Sequence, residues 1–181
     1  MRIRTCLFLL SAFALLTTAC KPSVISAAGE AAASVPDKIG SPGWTLEDCP
    51  VTRSPDPAFV PRPPYPPQPP GEDQFWFGEH GLWTALPVDG GWRQLALGEK
   101  FWWWSEAFDV SEDTTPDLGV TAKRLDGSAP EFQVSEATNG YHSSFHWAML
   151  VGVKLPSPRC WEFTGQYNDQ QLSFVLWVPA E

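Results

Sequence analysis

Long hydrophobic runs are missing from this chain. The longest, from Leu7 to Leu16, covers about ten residues broken by Ser11, well short of the roughly 20 that a membrane-spanning helix needs. No transmembrane helix is expected. Basic residues are also scarce: 12 Lys and Arg face 21 Asp and Glu in 181 residues, for a net charge of -9. From Gly71 onward the counts are 6 and 16, so phosphate backbones and anionic headgroups are repelled and nucleic acid is excluded as an expected partner. Catalytic signatures are absent as well. There is no Gly-x-Ser-x-Gly elbow, His-Glu-x-x-His helix, phosphate-binding glycine loop or paired Cys-x-x-Cys, which leaves no catalytic residue and no cofactor to name and favours a non-enzymatic protein. Charged residues make up only 18%, yet 43% hydrophobic and 13% aromatic residues exclude global disorder.

What is present begins with an address. Arg2 and Arg4 precede the Leu7 to Leu16 run, and Thr17-Thr18-Ala19-Cys20 follows, the layout of a secretory signal peptide. A small residue directly before a cysteine resembles the lipobox of bacterial lipoproteins, with Thr17 where that motif usually has leucine. The resemblance implies removal of residues 1–19, lipidation of Cys20 and a membrane partner reached through that anchor. Ordinary cleavage after Ala28 or Ala33, giving a periplasmic or secreted protein, is the alternative. Removing residues 1–19 takes away two arginines and no acid, so the acidity belongs to the mature protein.

Residues 20–43 are rich in Ala, Ser and Gly without an apolar period and read as a flexible tether. Residues 44–70 read as a proline-rich extended segment. Nine prolines fall between Pro55 and Pro70, which excludes helix and central strand. This segment is expected to be a spacer or a strap wrapped over the domain.

From about Gln74 the pattern is period-2 runs separated by turn residues. Phe145, Trp147, Met149, Val151, Val153 and Leu155 occupy alternate positions, which predicts a strand with one buried face. The stretches 161–167 and 172–178 predict an antiparallel hairpin turning at Asn168-Asp169-Gln170. Further candidate strands are 75–77, 82–86, 101–104, 118–125 and 132–134. The expected fold for residues 71–181 is an all-β, immunoglobulin-like antiparallel sandwich of seven or eight strands, with a small barrel as the alternative.

Cys6 leaves with the signal peptide and Cys20 takes the lipid, so Cys49 and Cys160 remain as a pair in an oxidising compartment. A disulfide between them is expected. Their spacing matches no metal motif.

A series of phrases in fixed order resembles a widespread group of uncharacterised bacterial secreted proteins and lipoproteins. They are Cys49-Pro50-Val51-Thr52, Phe75-Trp76-Phe77-Gly78, Leu82-Trp83-Thr84-Ala85-Leu86-Pro87, Phe101-Trp102-Trp103, Arg124-Leu125-Asp126-Gly127 before Ala129-Pro130, Ala137-Thr138-Asn139-Gly140 and Cys160-Trp161-Glu162-Phe163-Thr164-Gly165. The resemblance implies an envelope location and an immunoglobulin-like domain and supplies no reaction. Trp104 stands where members have arginine, and Ala122 where they often have glycine.

The aromatic residues are the main candidates for function. In Phe101-Trp102-Trp103-Trp104 successive side chains point to opposite faces, so one pair lies outside a single core layer. Trp83, Trp92 and Trp177 sit beside polar or turn residues and are expected to surface. Exposed indoles on a sandwich grip sugars, apolar peptides or proteins, and Trp92, Trp102, Trp104 and Asn139 are the candidate ligand-binding residues, with an envelope protein or a glycan as partner. Burial of the indoles beneath the proline strap is the competing expectation. His142 and His146 are weak metal candidates because a shared strand face would supply only two ligands. Glu106, Asp109, Glu112, Asp113 and Asp117 read as a solvated acidic loop, with weak calcium binding, a carboxylate pair for glycoside hydrolysis or, together with His142 and His146, a metal-dependent hydrolase site as the functional alternatives.

Overall fold

A computed structural model describes residues 44–92, 98–130 and 132–180. The expected signal peptide, the expected lipidation site Cys20 and the expected tether lie outside these residues. Among the described residues nine strands run in the order β1 (Gln74–Glu79), β2 (Leu82–Pro87), β3 (Gly98–Trp104), β4 (Leu118–Arg124), β5 (Gln133–Val134), β6 (Thr138–His142), β7 (His146–Lys154), β8 (Arg159–Tyr167) and β9 (Gln170–Val178). No helix occurs among the described residues. The strands form two antiparallel sheets, one in the order β1-β2-β3-β7-β5 with β6 also pairing β7, the other β4-β8-β9, an arrangement consistent with a β-sandwich. The β8–β9 hairpin closes through Asn168-Asp169, with Tyr167 opposite Gln170 and Asn168 at φ 53°, so the turn is one residue shorter than the sequence pattern suggests.

Alternation sorts the aromatics of β3. Phe101 and Trp103 face the other sheet and are buried with Phe163, Phe174, Met149 and Val151. Trp102 and Trp104 face the opposite way, where Trp76, Trp83, Trp104, Phe145 and Ala148 form a second buried cluster. An indole or phenyl ring buries about 150–250 Å², which at roughly 25 cal/mol/Å² is worth about 4–6 kcal/mol against full exposure. Two aromatic layers on one sheet explain how about 110 residues can use so many tryptophans.

The proline-rich segment covers this second layer. Phe59 and Tyr65 pack on it, with ring centroids 6.0 and 4.9 Å from Trp83, and the Tyr65 hydroxyl donates to the Ser105 carbonyl at 3.0 Å. Trp83, expected at the surface, is fully buried. Two aromatics borne between the prolines cover it, so the segment behaves as a strap and not as a free spacer.

The strap is one reason that β7 is buried on two faces. Met149, Val151 and Val153 face the sandwich core, while Ala148 and Leu150 are buried on the other side. The period-2 pattern anticipated only the first set, because the second lies opposite β6 and a single alanine carries little sequence signal. Trp147, placed inside by the same pattern, is 43% exposed: it lies one position from the end of β7, past the buried Met149, and the interior no longer encloses it.

Residues 44–52 belong to the folded unit as well. Cys49 and Cys160 are joined in a disulfide with Cα atoms 5.7 Å apart. Around it Val51 is buried and Trp44, Leu46, Leu125, Val175 and Trp177 pack. Thr52 exchanges hydrogen bonds with Val175, its amide donating to the Val175 carbonyl and its hydroxyl accepting the Val175 amide. Beside this patch the buried Asp126 accepts Arg124 Nε at 2.7 Å, with Arg159 Nε 4.0 Å away. Arg159 also donates to the Trp44 carbonyl at 2.8 Å. The carboxylate thus ties the turn after β4 to the start of β8 and to the segment leading into the disulfide.

Candidate functional site

The β2–β3 seam is short for strands of six and seven residues. β1 and β2 pair over six positions, and β3 and β7 over six, whereas β2 and β3 pair only at Trp83 with Trp104 and Thr84 with Trp103. Past that point the Thr84 hydroxyl donates to the Trp102 carbonyl at 2.8 Å, substituting a side chain for the next rung. The strands diverge, and the gap is a cleft of about 280 Å³ lined by Thr84, Ala85, Trp92, Lys100, Trp102, Trp104 and Phe145, with Pro70, Gly71, Asp73 and Gln74 along one rim.

Each wall has a local cause. Trp102 lies across β6 at Gly140, where an added Cβ would come within 2.8 Å of its ring; glycine is required by this close approach. The ring also packs edge-to-face against Phe145 at 4.9 Å. Trp104 is only 1% exposed, held edge-to-face by Trp76 at 4.8 Å and Phe145 at 5.3 Å. It is a wall and not an open platform, because the second aromatic layer closes around it. Its indole N–H, like those of Trp76 and Trp83, has no hydrogen-bond partner among the described residues. Trp92 is fixed through its backbone, which donates to the Trp177 carbonyl at 2.8 Å, and its ring lies 3.9 Å from that of Phe101.

Polar groups border these rings. The Gln74 side-chain oxygen accepts the Gly71 amide at 3.0 Å. The Lys100 ammonium and the Asp73 carboxylate carry opposite charges on the lining. Half-buried indoles beside a few fixed donors and acceptors suit a ligand with apolar faces and hydroxyl edges.

The remaining candidates lie elsewhere. Asn139 projects from β6 on the core side, opposite Met149, and its side-chain amide donates to the Asp113 carbonyl at 3.5 Å. It is not part of the cleft and anchors the loop between β3 and β4, because alternation sets it one face away from Gly140. Trp177 is half-buried over the disulfide. His142 and His146 sit opposite each other where β6 turns into β7. The His142 ring stacks on Phe145 at 4.6 Å, and its Nδ1 accepts the Ser144 amide at 3.2 Å, so one potential ligand atom is already occupied. Among the described residues no group of three or more His, Cys, Asp or Glu side chains is arranged to hold a metal.

Among the described residues the carboxylates of the acidic loop are not gathered into a metal-binding group. Glu106 faces His80 at 3.0 Å and Arg62 at 3.7 Å. Asp109 accepts the Ser111 hydroxyl and amide, and these bonds hold its carboxyl below the usual range. Asp113 accepts the Tyr167 hydroxyl at 3.2 Å; burial, and then that carboxylate, raise the Tyr167 phenol. Three carboxylates thus have three separate duties.

Pattern reading missed one surface. Tyr141 and Trp147 are opposite each other across β6 and β7, with rings 5.2 Å apart, and both are exposed. Two aromatics flanking a short polar turn were the available signal.

No family model, no curated protein and no solved structure matches this chain.

Proposed function

We propose that the protein is a non-enzymatic binding or structural module of the bacterial cell envelope, extracytoplasmic, anchored by lipid on Cys20 and built on an immunoglobulin-like sandwich. The observation that carries the binding reading is the cleft where β2 and β3 diverge, lined by Trp92, Trp102 and Trp104. The disulfide is compatible with an oxidising compartment. Ring faces of Trp92 and Trp102 and the polar rim together favour a saccharide over a purely apolar ligand. An envelope protein inserting a side chain is the competing occupant.

Titration of the folded protein with soluble cell-wall and plant glycans, followed by the NMR signals of the indole N–H groups, tests the ligand. Binding is expected to move the Trp102 and Trp104 signals and to weaken about tenfold or more in Trp102→Ala, since aromatic contacts of this kind are worth about 1 kcal/mol or more beyond area. Indole signals that stay still across a broad panel would remove the saccharide reading and leave the protein partner. Acyl labelling tests the anchor separately: it is expected in the intact chain and lost in Cys20→Ala.

A further inference from the structure

A second pocket lies away from the cleft. It has a volume of about 310 Å³ between the strap, the loop after β3 and the β6–β7 hairpin, and is lined by Tyr65, Glu106, Phe108, Asp109, His146 and Trp147 among others. Trp147 and its neighbour Tyr141 are the exposed large aromatics of the described residues, at 43% and 57%. Their rings lie 5.2 Å apart and form a joined exposed aromatic patch of the kind that marks interaction sites. Two carboxylates share the pocket with the indole. Asp109 commits Oδ1 to Ser111, which fixes the loop and leaves Oδ2 unpartnered among the described residues. Glu106 is matched by Arg62 only at 3.7 Å, through a side chain that is 67% exposed, and by His80. The pocket therefore combines an aromatic face with anionic oxygen, the combination that attracts ammonium and guanidinium groups.

We propose that this pocket is a docking site for a lysine or arginine side chain of an extended partner peptide. The indole face of Trp147 carries the cation, Asp109 and Glu106 supply the counter-charge, and Tyr141 extends the contact to the neighbouring peptide residue. Charge complementarity chooses the occupant: the chain has net charge -9, which steers basic partners toward it and acidic ones away.

The test uses the full chain and an acetylated hexapeptide of alternating lysine and alanine, with a norleucine-for-lysine version and spermidine as comparison probes, all in physiological salt. The lysine peptide is expected to shift the Trp147 indole signal, and its affinity to fall about tenfold in Trp147→Ala and severalfold in Asp109→Asn. Glu72→Gln, which removes an exposed carboxylate outside the pocket, should leave it unchanged. The dispersed NMR spectrum of each variant establishes folding, and Trp147→Phe, which keeps a weaker ring, should bind at an intermediate level. Equal binding of the norleucine peptide, equal loss in Glu72→Gln, or undiminished binding in Trp147→Ala would each overturn the site. Spermidine binding as tightly as the peptide would overturn the peptide assignment.

Discussion

The indole of Trp103 lies directly against the backbone of Gly165 in the facing sheet: a Cβ added at Gly165 would fall 2.4 Å from Trp103 Cη2. Trp103 has no exposed surface, so the ring cannot move aside into solvent. Gly165→Ala is therefore expected to destabilise the fold by about 1–3 kcal/mol, the usual cost of overpacking a closed core. Urea denaturation should give a lower midpoint with an unchanged slope. A variant as stable as the parent would mean that the two sheets separate easily at this point.

The disulfide joins residues 111 positions apart, and the chain-entropy relation assigns a loop of that size about 4–5 kcal/mol. Peptide mapping without reduction should recover Cys49 linked to Cys160. The double variant Cys49→Ser and Cys160→Ser should unfold at lower denaturant, with residues 44–52 the first to become susceptible to protease, since their other ties are a few hydrogen bonds and the packing around the sulfurs.

Asp126→Ala is expected to cost about 3–5 kcal/mol, because it leaves Arg124 partly buried without its counter-charge. Pairing it with Arg124→Met should recover part of the loss, as a buried ion pair replaced on both sides costs less than one broken. Thermal unfolding of the single and double variants measures the difference, and full additivity would show that the two side chains are not coupled.

Burial first, and then the nearby Glu106 charge, raise the Tyr65 phenol above its ordinary value of 10.0. A raised pKa means that the folded state holds the proton more tightly than the unfolded chain. The corresponding stability is fully present below pH of about 10 and is lost as pH climbs through the folded value. Protease sensitivity of the strap should therefore rise at alkaline pH. In Tyr65→Phe that alkaline dependence should weaken, while stability at neutral pH falls by about 0.5–1.5 kcal/mol for the lost bond to Ser105. Tyr167 shifts in the same direction, so some alkaline dependence should remain.

How much was readable from sequence differs from element to element. The strand of β7 was predictable from its alternating Met149, Val151 and Val153, yet the burial of Ala148 on its other face was not. The strand β6, Thr138–His142, went unnoticed because its residues are polar and it is held by backbone pairing to β7. In the cleft, Trp92, Trp102 and Trp104 could be named as candidates from their aromatic character. Their convergence could not, because it depends on where β2 and β3 stop pairing. Asn139 looked equivalent to them in sequence and lies on the other face.

By itself the sequence determined that this is a β protein with an acidic surface, two aromatic faces on β3 and one cysteine pair left to crosslink. These follow from local rules: period-2 alternation, charge, and the cysteine count left after an expected leader. Tertiary structure decided that the proline-rich segment is a strap, that Trp83 is hidden while Trp147 is exposed, and that an opening seam gathers three tryptophans into one cleft. Each of those outcomes depends on what packs against a face from far along the chain, and the periodicity of a single strand carries no information about its cover.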